Sequence, residues 1–201
     1  MSTRLEQAYQ AIDAANAADP AMTEANGASH PAALLYGRRM TAMLEKFQPV
    51  SSDALKIAIR GQHIERFAIP RESFPAGKAG YYRWRNEQKK KHAERLAEIM
   101  APLGFGADEI ARVGQIVRKE RPADDADTQT LEDVAALVFL AHELDAFLAK
   151  YSYPAEKLAD ILAKTWRKMS PKGQAAGLAF NPPQAVVYLL HQGLAALEAQ
   201  G

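Results

Sequence analysis

The sequence predicts an all-α protein, a single helical bundle that spans residues 1–201. Apolar residues recur at intervals of three and four along most of the chain, which is the spacing of an amphipathic helix. No segment shows the sustained two-residue alternation, rich in β-branched residues, that is typical of a strand. No internal repeat and no linker divides the chain, so we expect one domain.

Composition and charge exclude several classes of function. The chain has a formal net charge of +1 and no cysteine. The charge gives no global attraction to nucleic acids or membranes, and the lack of cysteine excludes disulfides, thiolate metal sites and a cysteine nucleophile. The polar N-terminus carries no secretion signal, and no apolar run approaches the ~20 residues of a membrane span. We therefore expect a soluble, cytoplasmic protein that does not contact the membrane.

End signals complete the assignment of the helices. Pro31 suits the first position of a helix, and Pro49 ends that helix. Residues 20–30, which include the pair Asn26-Gly27, are predicted as a loop. The predicted helices begin near residues 4, 31, 53, 80, 107, 130, 154, 171 and 182.

Two histidines are predicted to face the interior from consecutive helices. The third helix is predicted to run from Asp53 to Phe67, and His63 continues its apolar stripe at intervals of four. The fourth helix, at about residues 80–101, places His92 on the same face as aromatic and aliphatic residues. Prolines exclude a helix from the loop between them.

The sixth predicted helix is the most apolar. Thr130 is expected to cap it, with Asp133 three residues on in a capping-box arrangement. From Val134 to Ala141 the helix is apolar on every side, which indicates burial at the centre of the bundle. We therefore expect the segment from Val134 to Leu140 to be the most buried part of the chain.

His63, His92 and Asp133 are the candidate catalytic and metal-binding residues. Neutral imidazoles on neighbouring helices suit a metal ion, because a ring nitrogen ligates while the helix fixes its direction. Asp133 adds a carboxylate from the buried helix, and the cofactor expected at such a site is a divalent metal. The alternative is that both histidines are hydrogen-bonded core residues and that Asp133 is only a helix cap.

Arginine and aromatic residues surround the histidines in the sequence. The candidate ligand-binding residues are Arg66, Arg71, Trp84, Arg85 and Lys119. Guanidinium groups beside aromatic faces suit the recognition of phosphate or of a planar ligand. The expected partner is a phosphorylated small molecule or a nucleotide, with RNA as an alternative. The competing interpretation is a solvated arginine face whose stems pack on the aromatic rings.

Six stretches of the chain carry a resemblance to a known family. They read LLYGRRM from Leu34, RGQHIERFAIPR from Arg60, AGYYRWR from Ala79, KKKHAERLAEI from Lys89, TLEDVAALVFL from Thr130 and ILAKTWRKMS from Ile161. In these stretches it resembles the family called domain of unknown function 4202, and the resemblance extends over nearly the whole chain. That resemblance implies no particular activity.

A more distant resemblance is to the HD-domain superfamily of metal-dependent phosphohydrolases, which has an all-α fold. In that superfamily a histidine, a histidine–aspartate pair and a late aspartate hold the metal. His63 and Asp133 match two of these positions, and His92 matches an additional ligand of two-metal relatives. Tyr36 and Ile64 stand at the other two positions. The resemblance implies an HD-like bundle that acts on a phosphate-bearing substrate.

Two classes of function remain open. The first is an HD-like, metal-dependent enzyme that acts on a nucleotide or another phosphorylated small molecule through His63, His92 and Asp133. The second is a non-catalytic module that binds a nucleotide or RNA through the arginine and aromatic residues. A stoichiometric metal would favour the first class, and salt-sensitive binding without turnover would favour the second.

Overall fold

The computed structural model of the chain describes residues 2–120, 125–150 and 153–199. Helices dominate these residues, and one short antiparallel hairpin accompanies them, so the all-α class is confirmed. The helices are α1 (Arg4–Asn16), α2 (Ala32–Phe47), α3 (Asp53–Gly61), α4 (Gly77–Met100), α5 (Ala107–Arg118), α6 (Ala126–Val138), α7 (Leu144–Lys150), α8 (Ala155–Trp166), α9 (Pro171–Leu178) and α10 (Gln184–Glu198). The strands are β1 (Met22–Ala25) and β2 (Ala28–Pro31).

Contacts within the chain group its residues into two compact units, Met1–Leu131 and Glu132–Gly201. The boundary between them falls inside α6. This grouping does not decide whether residues 1–201 form a single domain, which stays a prediction. Across the described part of the chain, no helix has both the length and the apolar character needed to cross a membrane.

The first unit is built around α3, α4 and α5. Helix α4 packs against α5, and α3 packs against both α5 and α2. Gly37 allows the approach of α2 to α3, because a Cβ atom there would lie 2.9 Å from the Arg60 carbonyl oxygen. The largest fully buried side chains of this unit are Ile12, Met40, Leu44, Leu55, Ile57, Ile59, Ile64, Leu96, Met100, Ile116 and Leu131.

A β-hairpin occupies the segment that was predicted as a loop. Strand β1 pairs with β2 in antiparallel register, with Ala25 opposite Ala28. Asn26 and Gly27 form the two-residue turn with φ angles of 52° and 76°, the positive values that such hairpin turns require. The Asn-Gly pair was the available signal, and strands of four residues are too short to show alternation.

Helix α3 is shorter than predicted and ends at Gly61 rather than Phe67. The chain then turns, and Glu65 adopts a left-handed conformation with a φ angle of 48°. A 3-10 turn follows at Arg66–Ala68. Contacts made by this segment with other helices override the apolar periodicity that favoured a longer helix. His63 therefore lies in a turn and not on the helix.

Helix α6 begins earlier than predicted, at Ala126, so Thr130 is inside the helix and is not its cap. The Asp125 carboxylate accepts a hydrogen bond from the Thr128 backbone N–H at 2.9 Å and fills the capping position instead. Burial of the apolar segment is confirmed at Val134, Leu137 and Val138, which are 0% exposed. The predicted burial is wrong at the C-terminal end of this segment, where Ala141 is exposed.

The second unit is built around α8 and α10, which pack against each other. Gly193 permits this packing, because a Cβ atom there would clash with the Ala159 carbonyl oxygen. The core cluster beside these helices consists of Leu144, Leu162, Val186 and Leu190. An apolar cavity of about 340 Å³ adjoins it, with Trp166 and Phe180 among its lining residues.

Candidate anion-binding site

The candidate site lies in the first unit, where α4 holds the segment that follows α3. The Ile69 carbonyl oxygen accepts hydrogen bonds from Trp84 Nε1 at 2.9 Å and from Gln88 Nε2 at 3.0 Å. Gln88 Nε2 also donates to the Arg66 carbonyl oxygen at 2.8 Å. Two side chains of one helix therefore fix the backbone of this segment.

Glu65 fixes the same segment through two further hydrogen bonds. Its backbone N–H donates to Oδ1 of the buried Asn16 at 2.9 Å, and its Oε2 accepts from Arg95 Nε at 2.9 Å. Its left-handed backbone conformation is costly for a residue with a side chain and persists where surrounding contacts impose it. Such imposed conformations are concentrated at functional sites.

His63 and His92 lie next to each other, as predicted, with ring centroids 5.9 Å apart. Tyr36 of α2 stacks on His63, with centroids 4.7 Å apart and ring planes inclined by 16°. His92 projects from α4 and is 2% exposed. The prediction that the two imidazoles are neighbours is therefore confirmed.

A small polar cavity of about 30 Å³ opens beside the two imidazoles. Its lining residues are Gln62, His63, Arg66, Arg85, Gln88, Lys89, His92, Val117 and Lys119. Four of these side chains are cationic, and none of the described lining residues is a carboxylate. We call this space the cationic cavity. Positive charge of this kind attracts anions rather than cations.

Both imidazoles at the cationic cavity are neutral at physiological pH. Burial lowers the pKa of His92 to about 4; a hydrogen bond to the Ile64 backbone opposes this shift, and the charge of Arg66 adds to it. Burial also lowers the pKa of His63 well below its ordinary value, and the charges of Arg66 and Lys119 act in the same direction. A positive charge on either ring is therefore disfavoured.

Two buried acceptor atoms of the cavity wall have no hydrogen-bond partner within the described structure. They are Nε2 of His92 and Oε1 of Gln62. Because Nε2 is unpaired, the bond of His92 to the Ile64 carbonyl is made by its Nδ1–H, which leaves Nε2 as a lone-pair acceptor. Unpaired buried acceptors are uncommon and indicate that a water molecule or a ligand supplies the missing donor.

Aromatic rings support two of the guanidinium groups. Arg66 Cζ lies 4.4 Å from the centroid of the Trp84 ring, and Arg85 Cζ lies 5.7 Å from that of Tyr81. These ring contacts orient the two guanidinium groups. Trp84, predicted as a ligand-binding residue, is not among the residues that line the cavity and acts through Arg66.

Comparison with known proteins places the chain in a family without an assigned function. The family model described as Domain of unknown function (DUF4202) matches residues 6–190. The chain is a member of the DUF4202 family. No curated protein and no solved structure gives a significant match.

In this DUF4202 protein, Arg71 has a different place from the one predicted. Its Nη1 donates to the Phe74 carbonyl oxygen at 2.9 Å, and its Nη2 lies 3.0 Å from the Pro75 carbonyl oxygen and 3.4 Å from that of Gly77. Arg71 is not among the residues that line the cationic cavity. Its guanidinium therefore holds together the loop that leads into α4.

Asp133 anchors a turn within the second unit. Its Oδ1 accepts from the Ser170 N–H at 2.7 Å, and its Oδ2 accepts from Ser170 Oγ at 2.5 Å. Ser170 Oγ in turn accepts from the Gly173 N–H at 3.0 Å and caps α9. The expected capping role at the start of α6 is wrong, because Asp133 lies inside that helix and supports the cap of another one. Its catalytic role stays a prediction.

The residues around the cationic cavity do not fit a divalent metal ion. Four cationic side chains line this space, and their charges oppose a further positive charge. In the residues that the structure describes, no group of three or more His, Cys, Asp or Glu side chains is placed to hold a metal. These observations give no support to the metal-binding roles of His63, His92 and Asp133, which stay predictions.

Four lining residues were not predicted as site residues, namely Gln62, Gln88, Lys89 and Val117. Nothing in the sequence indicated that Gln62 lines a cavity, because the helix was predicted to continue through it. Lys89 belongs to a run of three lysines that was assigned to the outer face of α4. The close spacing of Arg85 and Lys89, four residues apart on one helix face, is the signal that would have revealed it.

Proposed function

We propose that the cationic cavity binds the phosphate group of a phosphorylated small molecule. The composition of the cavity wall carries this proposal, since it has four cationic side chains and no carboxylate among its described residues. An anion in this space would interact favourably with the positive charges around it. Arg66 and Arg85 supply the planar donor pairs that suit phosphate oxygens.

The unpaired acceptors support a ligand that also carries hydroxyl groups. Nε2 of His92 and Oε1 of Gln62 both need a hydrogen-bond donor, which a fully ionised phosphate does not provide. A sugar phosphate or a related phosphorylated alcohol provides anionic oxygens and hydroxyl donors together. This combination defines the ligand class that we propose.

Calorimetric titration with ribose 5-phosphate at low ionic strength tests the proposal. We expect saturable binding to the wild-type chain and at least tenfold weaker binding to Arg85→Gln. A lost charge-assisted hydrogen bond costs about 1.5–3 kcal/mol, and about 1.4 kcal/mol corresponds to a factor of ten.

Arg83→Gln is the matched control for Arg85→Gln. Arg83 lies on the same helix and carries the same charge, but it is exposed and is absent from the cavity lining. Its substitution should leave the affinity unchanged. Equal weakening by the two substitutions would show a diffuse charge effect, and a wild-type chain that binds no ribose 5-phosphate would refute the proposal.

A second candidate function rests on the unpaired Nε2 of His92. The neutral His92 imidazole has a lone pair that can accept a proton from a ligand hydroxyl group or from water. Its pKa of about 4 makes it a weak base, and an anion bound beside it would raise that pKa and strengthen the base. This supports acid–base catalysis on the bound phosphate ester, the enzyme class that the HD-like resemblance implies. His92→Asn retains a donor towards the Ile64 carbonyl but removes the Nε2 acceptor, so it should weaken ligand binding and abolish turnover even at saturating ligand. Full turnover by this variant would exclude His92 as the proton acceptor.

A further inference from the structure

The cavity of about 340 Å³ in the second unit, which we call the apolar cavity, is large enough for a ligand. All of its lining residues lie between Leu140 and Leu190, within that unit. Its wall includes the apolar side chains of Leu144, Leu162, Trp166, Phe180, Val186 and Leu190. An engineered apolar cavity of about 150 Å³ binds benzene. The apolar cavity therefore has room for a larger aromatic ring system.

Two uncommon backbone conformations meet at the wall of the apolar cavity. Residues Phe139–Glu143 form a π-helical turn between α6 and α7, and this turn contributes Leu140 and Ala141 to the wall. Asn181, which also lines the cavity, has a left-handed conformation with a φ angle of 50°. Both kinds of conformation are concentrated at functional sites. Their presence in two separate segments around one cavity favours a binding role.

The apolar cavity is open to solvent at Leu178 and Phe180. Both side chains line it, and they are 51% and 42% exposed. Part of the apolar wall is therefore in contact with water. An apolar molecule that enters the cavity removes this surface from water, which is favourable.

One carboxylate determines the charge that a ligand of this cavity should carry. Among the lining residues, all of which the structure describes, Asp145 is the only ionisable side chain. Asp145 is exposed, and its carboxylate has no ion pair or hydrogen bond with the described part of the chain. A cationic group on the ligand complements this charge, whereas an anionic group is repelled.

We infer that the apolar cavity binds a small hydrophobic amine, whose ring system lies beside Trp166 and whose ammonium group pairs with Asp145. This site uses residues of the second unit alone, so the inference goes beyond the proposed phosphate binding and does not depend on it. Burial of the ring supplies most of the affinity. Because Asp145 is exposed, its ion pair contributes a smaller share and mainly provides selectivity.

NMR titration of the full chain with tryptamine, tryptophol and indoleacetate tests the inference, because these ligands share one ring system and differ in charge. The chain contains two tryptophans. The indole N–H signal of Trp166 should shift and saturate, and that of Trp84, a residue of the first unit, should stay in place. Tryptamine should bind about threefold more tightly than tryptophol and about tenfold more tightly than indoleacetate. A Trp166 signal that none of the ligands moves, or equal affinities for all three, would overturn the inference.

Substitution of Asp145 locates the ammonium group. Asp145→Asn should lower the affinity for tryptamine to that for tryptophol, and unchanged tryptophol binding shows that the cavity is intact. The control is Glu156→Gln, since Glu156 is an exposed carboxylate of the same unit and is absent from the cavity lining. A tryptamine preference that survives Asp145→Asn, or that Glu156→Gln also removes, would overturn the inference. Sedimentation that shows a dimer which Phe180→Ser dissociates would assign the cavity to a second copy of the chain instead.

Discussion

At the scale of single residues, His92 links the site to the stability of the fold. Its side chain is buried and its pKa is lowered from 6.5 to about 4. In the unfolded chain the imidazole has its ordinary pKa, so between these values the unfolded state binds more protons than the folded state. The stabilisation that neutral His92 provides is present above pH 6.5 and is lost as the pH falls towards 4.

We therefore predict that the free energy of unfolding falls in this window by up to about 3 kcal/mol through His92 alone. His63, whose pKa is also lowered, contributes in the same direction. Urea unfolding at a series of pH values measures the effect. In His92→Asn the free energy of unfolding should depend less steeply on pH. A variant with the wild-type slope would show that His92 does not titrate as the structure requires.

Arg71 and Arg85 should separate stability from binding. Arg71→Ala removes a guanidinium that donates to loop carbonyls, so it should lower the free energy of unfolding by about 1 kcal/mol or more. It should leave the affinity for ribose 5-phosphate unchanged, because Arg71 is absent from the cavity lining. Arg85→Ala should weaken the binding of ribose 5-phosphate and leave the free energy of unfolding unchanged. Urea unfolding and calorimetry on both variants measure this pair of effects, and weaker binding by Arg71→Ala would return Arg71 to the site.

At the scale of elements, Asp133 is predicted to stabilise the start of α9. Asp133→Ala leaves the half-buried Ser170 N–H without its acceptor, which should cost about 1–2 kcal/mol of unfolding free energy. Hydrogen exchange should become faster at the first turn of α9. If Asp133 has no part in the anion site, ribose 5-phosphate binding persists in this variant; a stable variant that loses binding would restore its predicted catalytic role.

Leu137 tests the burial of α6. Its side chain is 0% exposed, so Leu137→Ala should destabilise the fold by about 2–5 kcal/mol, as large-to-small changes in close-packed cores do. Thermal or urea unfolding measures the change. Fast hydrogen exchange of the α6 amides in the wild-type chain would contradict the assignment of this helix to the core.

The sequence predicted the elements whose local signals agree with their packing. Helices α1, α2 and α5 begin and end close to the predicted residues. The third helix was predicted too long, because its apolar periodicity continues past Gly61 while Asn16, Trp84 and Gln88 impose a turn from distant positions. No local pattern reports contacts between residues that far apart in the chain.

The candidate site was also predicted only in part. The adjacency of His63 and His92 followed from consecutive helices joined by one loop, and the structure confirms it. The sequence did not predict that Arg85 lines the cavity while Arg71 holds a loop. Both arginines lie close to aromatic residues in the sequence, and only their tertiary contacts distinguish them.

At the scale of the whole molecule, the distribution of charge matters more than its sum. The net charge is only +1, which gives the molecule no global attraction to polyanions. Carboxylates neutralise much of the remaining surface, as in the pairs Arg112–Asp125 and Arg118–Glu120. The cationic cavity keeps its cations together without a carboxylate in its described lining. A small anion, and not a polymer, is the partner that this distribution favours.

Histidine NMR during a titration with ribose 5-phosphate tests the central claim most directly, because it locates the bound anion. The imidazole signals of His63 and His92 should shift and saturate together, since both rings line the cationic cavity. The signal of His191, an exposed residue of the second unit, should stay in place. Saturable binding that leaves His63 and His92 unmoved, or a titration in which no signal moves, would contradict the account.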